Sequence, residues 1–267
     1  MTHLLQRVAV AAVALPVVLV LVWRGGWWLF ALATGGALLA LHEYAGLTRR
    51  LRPLVLAGYV GVVAILVAAT AGGVTWLLGA VLLTLLAAFV LHTLAQTRPP
   101  ATVAIGSTVL GAVWIGLGLA HVLLLRDLPD GRLAVFTVLL AVWASDTFAF
   151  FAGRLVGRHK LAPVMSPRKT WEGLVAGSLA AIAVTFFALY EDRETFLAIW
   201  QALVLGGVIA LASVLGDLFE SAVKRDMEVK DTGRLLAAHG GVLDRIDSLL
   251  YAAPAAFYAI LAFGHGP

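Results

Sequence analysis

The residues VTWLLGAVLLTLLAAFVLHTLA, at positions 74–95, contain no Asp, Glu, Lys or Arg. A helix crosses the hydrocarbon of a bilayer with about 20 residues, and backbone polar groups must pair within the segment there. This stretch therefore predicts a transmembrane helix. The whole chain of 267 residues has the same character, being 61% hydrophobic and 13% charged, whereas soluble domains carry about 25% charged residues. Such long uncharged runs disfavour a soluble domain with an unusually apolar core.

Further apolar runs extend from this stretch in both directions along the chain. They predict an all-α polytopic membrane protein with about nine transmembrane helices, in which the first run is a retained helix and not a cleaved signal peptide. We expect two regions, residues 1–125 with five spans and residues 126–267 with four spans and two cytoplasmic loops. The predicted spans are Val8–Val22, Trp27–Leu47, Leu54–Ala71, Val74–Ala95, Thr102–Leu125, Leu133–Val156, Gly173–Tyr190, Phe196–Ser221 and Ile246–Phe263.

The distribution of basic residues predicts the orientation of these helices. With the N-terminus in the cytoplasm and the C-terminus outside, fifteen of the 19 Lys and Arg residues fall on the cytoplasmic side, as the positive-inside rule requires. The net charge of +4 is thereby explained without a nucleic-acid partner. We expect a multi-pass protein of the cell (inner) membrane. The absence of cysteine excludes disulfides, thiolate metal ligands and a cysteine nucleophile.

Four acidic residues lie inside or at the edge of predicted spans, where ionisable groups are costly and are candidates for function. They all fall in the cytoplasmic half of their helices, which favours a pocket open to the cytoplasm over a transport path with acids near the midplane. Purely structural roles stay open for Asp146, as a hydrogen-bond anchor, and for Glu43, as a residue that only pairs within the helix bundle. The four are Glu43, Asp146, Asp217 and Glu220.

The predicted loop before the last span combines acids and bases. Asp217, Glu220 and Lys224 share one helical face by their spacing, as do Asp244 and Asp247 at the start of the last span. A hard divalent cation such as Mg²⁺ relieves repulsion between close carboxylates and is usually held by one or two of them together with substrate phosphates. The neighbouring bases, together with the flexible Gly240 and Gly241, suit a triphosphate. The pattern predicts metal-assisted phosphoryl chemistry.

The same stretch resembles the signature of the phosphatidate cytidylyltransferase family, whose members are also called CDP-diacylglycerol synthases. The resemblance rests on Ser221-x-Val223-Lys224-Arg225, Lys230-Asp231-x-Gly233 and His239-Gly240-Gly241-Val242-x-Asp244-Arg245-Ile246-Asp247. Two further segments agree, Asp146-Thr147-Phe148-Ala149-Phe150 and Ser166-Pro167-Arg168-Lys169-Thr170-Trp171-Glu172-Gly173. The resemblance covers about the C-terminal half of the chain.

The resemblance implies that CTP and phosphatidate give CDP-diacylglycerol and pyrophosphate, with Mg²⁺ and a second, monovalent cation such as K⁺. It also implies that Asp217, Asp244 and Asp247 hold the cations, and that the protein is a homodimer. The residues assigned to catalysis on this basis are Asp217, Lys224, Arg225, Lys230, Asp231, His239, Asp244, Arg245 and Asp247. Those assigned to substrate binding are Asp146, Ser166, Arg168, Lys169, Thr170, Glu172, Glu220, Ser221, Gly240 and Gly241.

Three alternatives to this function come from different classes of protein. A CTP-dependent lipid or polyprenol kinase shares the nucleotide and the membrane, but it would transfer the γ-phosphoryl group. A secondary transporter or channel predicts inverted repeats and acids near the midplane. A non-catalytic relative acting as a scaffold predicts the loss of the acids and bases that this chain retains. No Walker A or HExxH motif occurs, so neither a P-loop ATPase nor a zincin is supported.

Overall fold

The computed structural model describes residues 15–95, 100–229, 232–233 and 240–266. Within these residues the chain forms nine α-helices, a short 3₁₀ helix and one pair of β-strands. The helices are α1 (Leu15–Arg24), α2 (Gly26–Leu47), α3 (Val55–Gly72), α4 (Val74–Leu94), α5 (Ala101–Asp127), α6 (Gly131–Leu155), α7 (Trp171–Leu189), α8 (Ile199–Asp226) and α9 (Leu243–Ala262); the 3₁₀ helix is Arg49–Leu51 and the strands are β1 (Lys160–Ala162) and β2 (Ser166–Thr170).

The helical, membrane-type fold expected from the apolar runs is confirmed. Six of the described helices, α3 to α8, are long and apolar enough to cross a membrane. The helix α8 continues to Asp226, five residues past the predicted end of its span, and α9 begins at Leu243, three residues before the predicted start of the last span. Polar residues of the signature therefore lie on helices at positions that the apolar pattern alone assigned to loops.

The β-hairpin between α6 and α7 is a feature that the apolar pattern did not predict. Its strands are antiparallel, with Lys160 opposite Thr170 and Ala162 opposite Ser166. Pro163 begins the turn between the strands, where its fixed φ favours a reversal of the chain. The all-α description therefore holds for the membrane-spanning part, and the loop after α6 has a defined shape of its own.

The chain divides into two compact units. The first comprises the described residues of 1–124 and 227–246, and the second comprises those of 125–226 and 247–267. In the first unit α3 packs against both α2 and α4, and the buried Tyr44 donates its hydroxyl to the Ser107 carbonyl at 2.9 Å.

In the second unit α7 packs between α6 and α8. A Cβ atom added at Gly177 would lie 2.7 Å from the Ser145 carbonyl oxygen, and one at Gly173 would lie 2.7 Å from that of Ala149. These two glycines are therefore the small-residue packing positions that their spacing indicates.

Candidate active site

Three carboxylates from three different helices lie together in the second unit. Asp146 is on α6, Asp217 on α8 and Asp247 on α9, and their negative charges are close enough to repel one another. Ser213, which is fully buried, donates its hydroxyl to Asp146 Oδ1 at 3.4 Å. Asp247 Oδ1 accepts the backbone N–H of Ser248 at 2.7 Å. The arrangement concentrates negative charge inside a helical unit of low charge content.

Lys169 brings a positive charge to this acidic cluster. Its Nζ lies 2.8 Å from Asp217 Oδ2, and the two side chains are 21% and 34% exposed. Lys169 is on β2, so the hairpin positions it beside the carboxylate of Asp217 on α8. An ion pair that is partly shielded from water is less screened than a surface pair, and the pair leaves Asp217 accessible.

The close approach of α8 and α9 depends on Gly216. A Cβ atom at this position would lie 2.5 Å from the carbonyl oxygen of Asp247 and 3.2 Å from the Cα atom of Ser248. Only glycine permits the two backbones to come so near without displacement. Asp217 follows Gly216 directly, so this contact brings the carboxylates of α8 and α9 together.

The C-terminal part of α8 carries a second ion pair. Lys224 Nζ contacts Glu220 Oε2 one helical turn away, and Glu220 is only 1% exposed. Lys224 also lies close enough to attract the carboxylate of Asp247. Ser221 donates its hydroxyl to Asp217 Oδ1 at 3.4 Å. The described contacts therefore place Glu220 inside the unit as the partner of Lys224.

Two residues assigned to substrate binding, one at the end of β2 and one at the start of α7, have structural contacts at the base of the hairpin. Thr170 is 4% exposed, and its Oγ1 accepts the Gly173 N–H at 3.1 Å as the N-cap of α7. Glu172 accepts the backbone N–H of His159 at 3.2 Å and its Nδ1 at 2.6 Å. Both residues position the hairpin that carries Lys169. Ser166 lies on β2, and Arg168 is exposed on the same strand.

The first unit contains the start of α9, which belongs to the signature. Glu43, a residue outside the signature, binds the backbone there. Glu43 on α2 is 4% exposed. Its Oε1 accepts the Val242 N–H at 3.0 Å, and its Oε2 accepts the Leu243 N–H at 2.9 Å. The carboxylate thus caps the start of α9, where a negative charge is favoured by the helix dipole. The sequence marks Glu43 as a candidate because it is an acid within an apolar span. Its partners, however, are backbone amides about 200 residues away.

Asp244 belongs to the same segment. Its Oδ2 accepts the Gly241 N–H at 2.8 Å and the Thr232 N–H at 3.4 Å. Gly240 has φ +82°, a left-handed conformation that favours glycine. Two carboxylates, Glu43 and Asp244, therefore hold consecutive amides of the chain as it enters α9.

Several predicted residues are not brought together by the described contacts. Asp244 lies in the first unit and Asp217 and Asp247 in the second, so their joint action as metal ligands stays a prediction. Arg225 contacts the hairpin turn, with Nε 3.2 Å from the Met165 carbonyl oxygen. Arg245 is exposed on the first turn of α9. Lys230, Asp231 and His239 lie outside the described residues.

The donors in the second unit suit a hard cation. Over the described ranges, no three or more His, Asp or Glu side chains form a ready-made metal site. Mg²⁺, however, usually takes one or two protein carboxylates and completes its shell with phosphate oxygens and water. Asp217 and Asp247 repel each other, and a divalent cation between such groups would offset the repulsion. The residues present therefore fit Mg²⁺ bound together with a phosphate-bearing substrate.

The sequence also matches known proteins. The model of the family described as "Cytidylyltransferase family" matches residues 5–263. The phosphatidate cytidylyltransferase of Haemophilus influenzae is 42% identical over 132 residues, which are 48% of this chain and 46% of the relative. That of Mycobacterium tuberculosis strain H37Rv is 39% identical over 160 residues, 58% of this chain and 47% of the relative.

The corresponding protein of Staphylococcus haemolyticus is 39% identical over 145 residues, 54% of this chain and 55% of the relative. The matched region thus spans about half the length of these curated relatives.

Proposed function

The chain belongs to the cytidylyltransferase family, and we propose that it transfers CMP from CTP to phosphatidate, giving CDP-diacylglycerol and pyrophosphate for phospholipid synthesis. The observation that carries this proposal is the ion pair between Lys169 and Asp217 beside Asp247. It places a cation and clustered carboxylates within a unit of membrane-type helices. That combination suits a reaction between a lipid phosphate and a nucleoside triphosphate. Such a reaction needs the negative charge of the phosphates to be neutralised and the reacting groups to be aligned.

The proposed reaction is an in-line displacement at phosphorus. A phosphate oxygen of phosphatidate forms a bond to the α-phosphorus of CTP, the bond from that phosphorus to the bridging oxygen of the β-phosphate breaks, and pyrophosphate leaves. The attacking phosphate is largely ionised near neutral pH, since the second pKa of a phosphate monoester is about 6, so no dedicated general base is required.

The residues of the chain orient the two substrates and neutralise their charge. Lys169 and Lys224 lie beside the carboxylates and can exchange these partners for phosphate oxygens, with Arg225 and Lys230 as further cations of the proposed site. Asp217, Asp244 and Asp247 are the proposed ligands of Mg²⁺ and of a monovalent cation such as K⁺. When bound, Mg²⁺ would neutralise charge on the triphosphate. Phosphatidate would enter laterally from the bilayer, its acyl chains remaining in lipid.

The setting of the enzyme completes the proposal. We place the N-terminus and the site on the cytoplasmic side of the cell (inner) membrane, with nine spans and an external C-terminus, as the charge distribution predicts. The division into an N-terminal region, 1–125, and a catalytic region, 126–267, and the homodimeric state remain parts of this proposal.

A product assay tests the reaction directly. Purified protein in lipid-containing detergent micelles receives phosphatidate, Mg²⁺ and CTP labelled at the α-phosphate. We expect label to enter the lipid only when phosphatidate and Mg²⁺ are both present, and chelation of the metal to stop it. Asp217→Asn should lower the rate by about 10²-fold or more, the scale typical of a lost electrostatic group. Asp226→Asn, an exposed residue on the same helix, is the matched control and should retain the rate.

The assay also separates the alternatives. Label that remains in water-soluble CDP, while the lipid gains only the γ-phosphate, would establish a kinase and refute cytidylyl transfer. An absence of turnover with any lipid phosphate would favour the transporter or scaffold instead.

A further inference from the structure

The β1–β2 hairpin lies between two helices that are long and apolar enough to span a membrane. The helix α6 ends at Leu155, which is 78% exposed, and α7 begins at Trp171, which is 53% exposed. Tryptophan is enriched where a helix passes from hydrocarbon into the headgroup region. We therefore expect the base of the hairpin at the membrane surface.

The outer part of the hairpin combines apolar and cationic side chains. Val164 and Met165, in the turn, are 87% and 45% exposed. Arg158, Lys160 and Arg168 are exposed as well. An exposed apolar tip flanked by cations is the combination that binds an anionic membrane surface, with the apolar groups below the headgroups and the cations at their phosphates.

A contact with α8 limits the distance between the hairpin turn and the bilayer. Arg225 Nε donates to the Met165 carbonyl oxygen at 3.2 Å, and Arg225 is the penultimate residue of α8. This helix has 28 residues and is about 42 Å long at about 1.5 Å per residue. A bilayer with its headgroups is about 40–45 Å thick. A membrane-spanning helix of this length reaches from one headgroup layer to the other, which puts the end of α8 and the hairpin tip within reach of the headgroups.

We propose that the hairpin is a membrane-surface anchor, with Val164 and Met165 inserted among anionic lipid headgroups. Arg158, Lys160 and Arg168 contact the phosphates of these lipids. The strand that carries the anchor also carries Lys169, which pairs with Asp217. Anionic lipid at the surface would thus order the segment that brings Lys169 to the acidic cluster.

The chain is suited to a direct test, because it contains no cysteine. Val164→Cys therefore creates a single attachment site for a nitroxide spin label in the chain of 267 residues. The labelled protein is placed in nanodiscs of phosphatidylcholine alone or of phosphatidylcholine with phosphatidylglycerol. Paramagnetic relaxation then compares collisions with oxygen, which partitions into lipid, and with a water-soluble nickel chelate.

We expect the label to be shielded from the nickel chelate in the anionic discs and exposed to it in the neutral discs. In the anionic discs, adding Arg158→Gln and Lys160→Gln should lower the ratio of inserted label to aqueous label by roughly tenfold to thirtyfold. This follows from the usual contribution of a basic residue near an anionic surface. A label that stays aqueous in both discs would overturn the proposal. Insertion that ignores lipid charge and the two substitutions would refute its electrostatic basis. Neither readout requires turnover, so the result is separate from the proposed reaction.

Discussion

Replacing Glu43 with alanine should release the start of α9, although position 43 lies far away in the sequence. The substitution removes both acceptors of the Val242 and Leu243 amides. Hydrogen bonds to charged groups contribute about 1.5–3 kcal/mol each, so the two together contribute about 3–6 kcal/mol. Leu243 is fully buried and Glu43 nearly so, which limits replacement of the lost bonds by water. We therefore expect local opening of the segment that contains Gly241 and Asp244.

Hydrogen exchange measured by mass spectrometry reports this opening. A loss of about 3 kcal/mol corresponds to roughly a hundredfold decrease in protection, because each 1.4 kcal/mol is about tenfold. We expect this decrease at the amides of Val242 and Leu243 in Glu43→Ala. Glu43→Gln keeps one carbonyl acceptor and should lose less. In the labelled-CTP assay, kcat should fall in the same order, because Asp244 loses its fixed position.

The matched control is Tyr44→Phe, which removes a buried hydrogen bond to Ser107 from the neighbouring residue of α2. It should leave exchange at the start of α9 unchanged. The reasoning is refuted if Glu43→Ala retains full protection of Val242 and Leu243. Equal loss in Tyr44→Phe would show general loosening of the unit and would also contradict a specific role for Glu43.

Three further substitutions test the second unit. Lys169→Met should lower kcat for cytidylyl transfer by about 10²-fold or more, with partial recovery in Lys169→Arg; unchanged kcat would remove Lys169 from the site. Gly216→Leu should destabilise the protein by about 1–3 kcal/mol through overpacking because of the Asp247 carbonyl 2.5 Å away. Thermal unfolding in detergent should show no such loss for Gly207→Leu, where a Cβ meets nothing within 4 Å; equal losses would disprove the close approach. Thr170→Val should cost about 1 kcal/mol of stability by removing the cap of α7, and Thr170→Ser should restore it; a valine variant as stable as the parent would show that the cap contributes nothing.

The helices and the acidic residues were predictable because they follow from local sequence. An uncharged run of transmembrane length has few structures open to it, and an acid within such a run is costly enough to mark a site. Asp146 and Asp217 were marked in this way, and the structure brings them close together in the second unit. The shared face of Glu220 and Lys224 also followed from spacing, since residues four apart are neighbours on a helix.

Contacts between distant segments were not predictable in the same way. Asp244 and Asp247 lie three residues apart on α9, as their spacing indicated, but their joint action with Asp217 as ligands stays a prediction. Nothing local to Glu43 indicates that it would cap α9, because its partners are backbone amides with no identity in the sequence. The hairpin was also missed, since strands of three and five residues are too short for an alternating pattern.

The cap of α9 by Glu43 has a consequence for how the chain is made. The partners of this carboxylate are 199 and 200 residues downstream, and a ribosome adds about 5–20 residues per second. About 10–40 s therefore pass between the synthesis of Glu43 and the synthesis of Val242 and Leu243. During this interval an acid near the end of α2 must remain hydrated at the bilayer surface or within the insertion machinery, because an unpaired acid deep in hydrocarbon is costly. Until the C-terminal part of the chain has been made, Glu43 therefore lacks the two amide partners that it has in the folded protein.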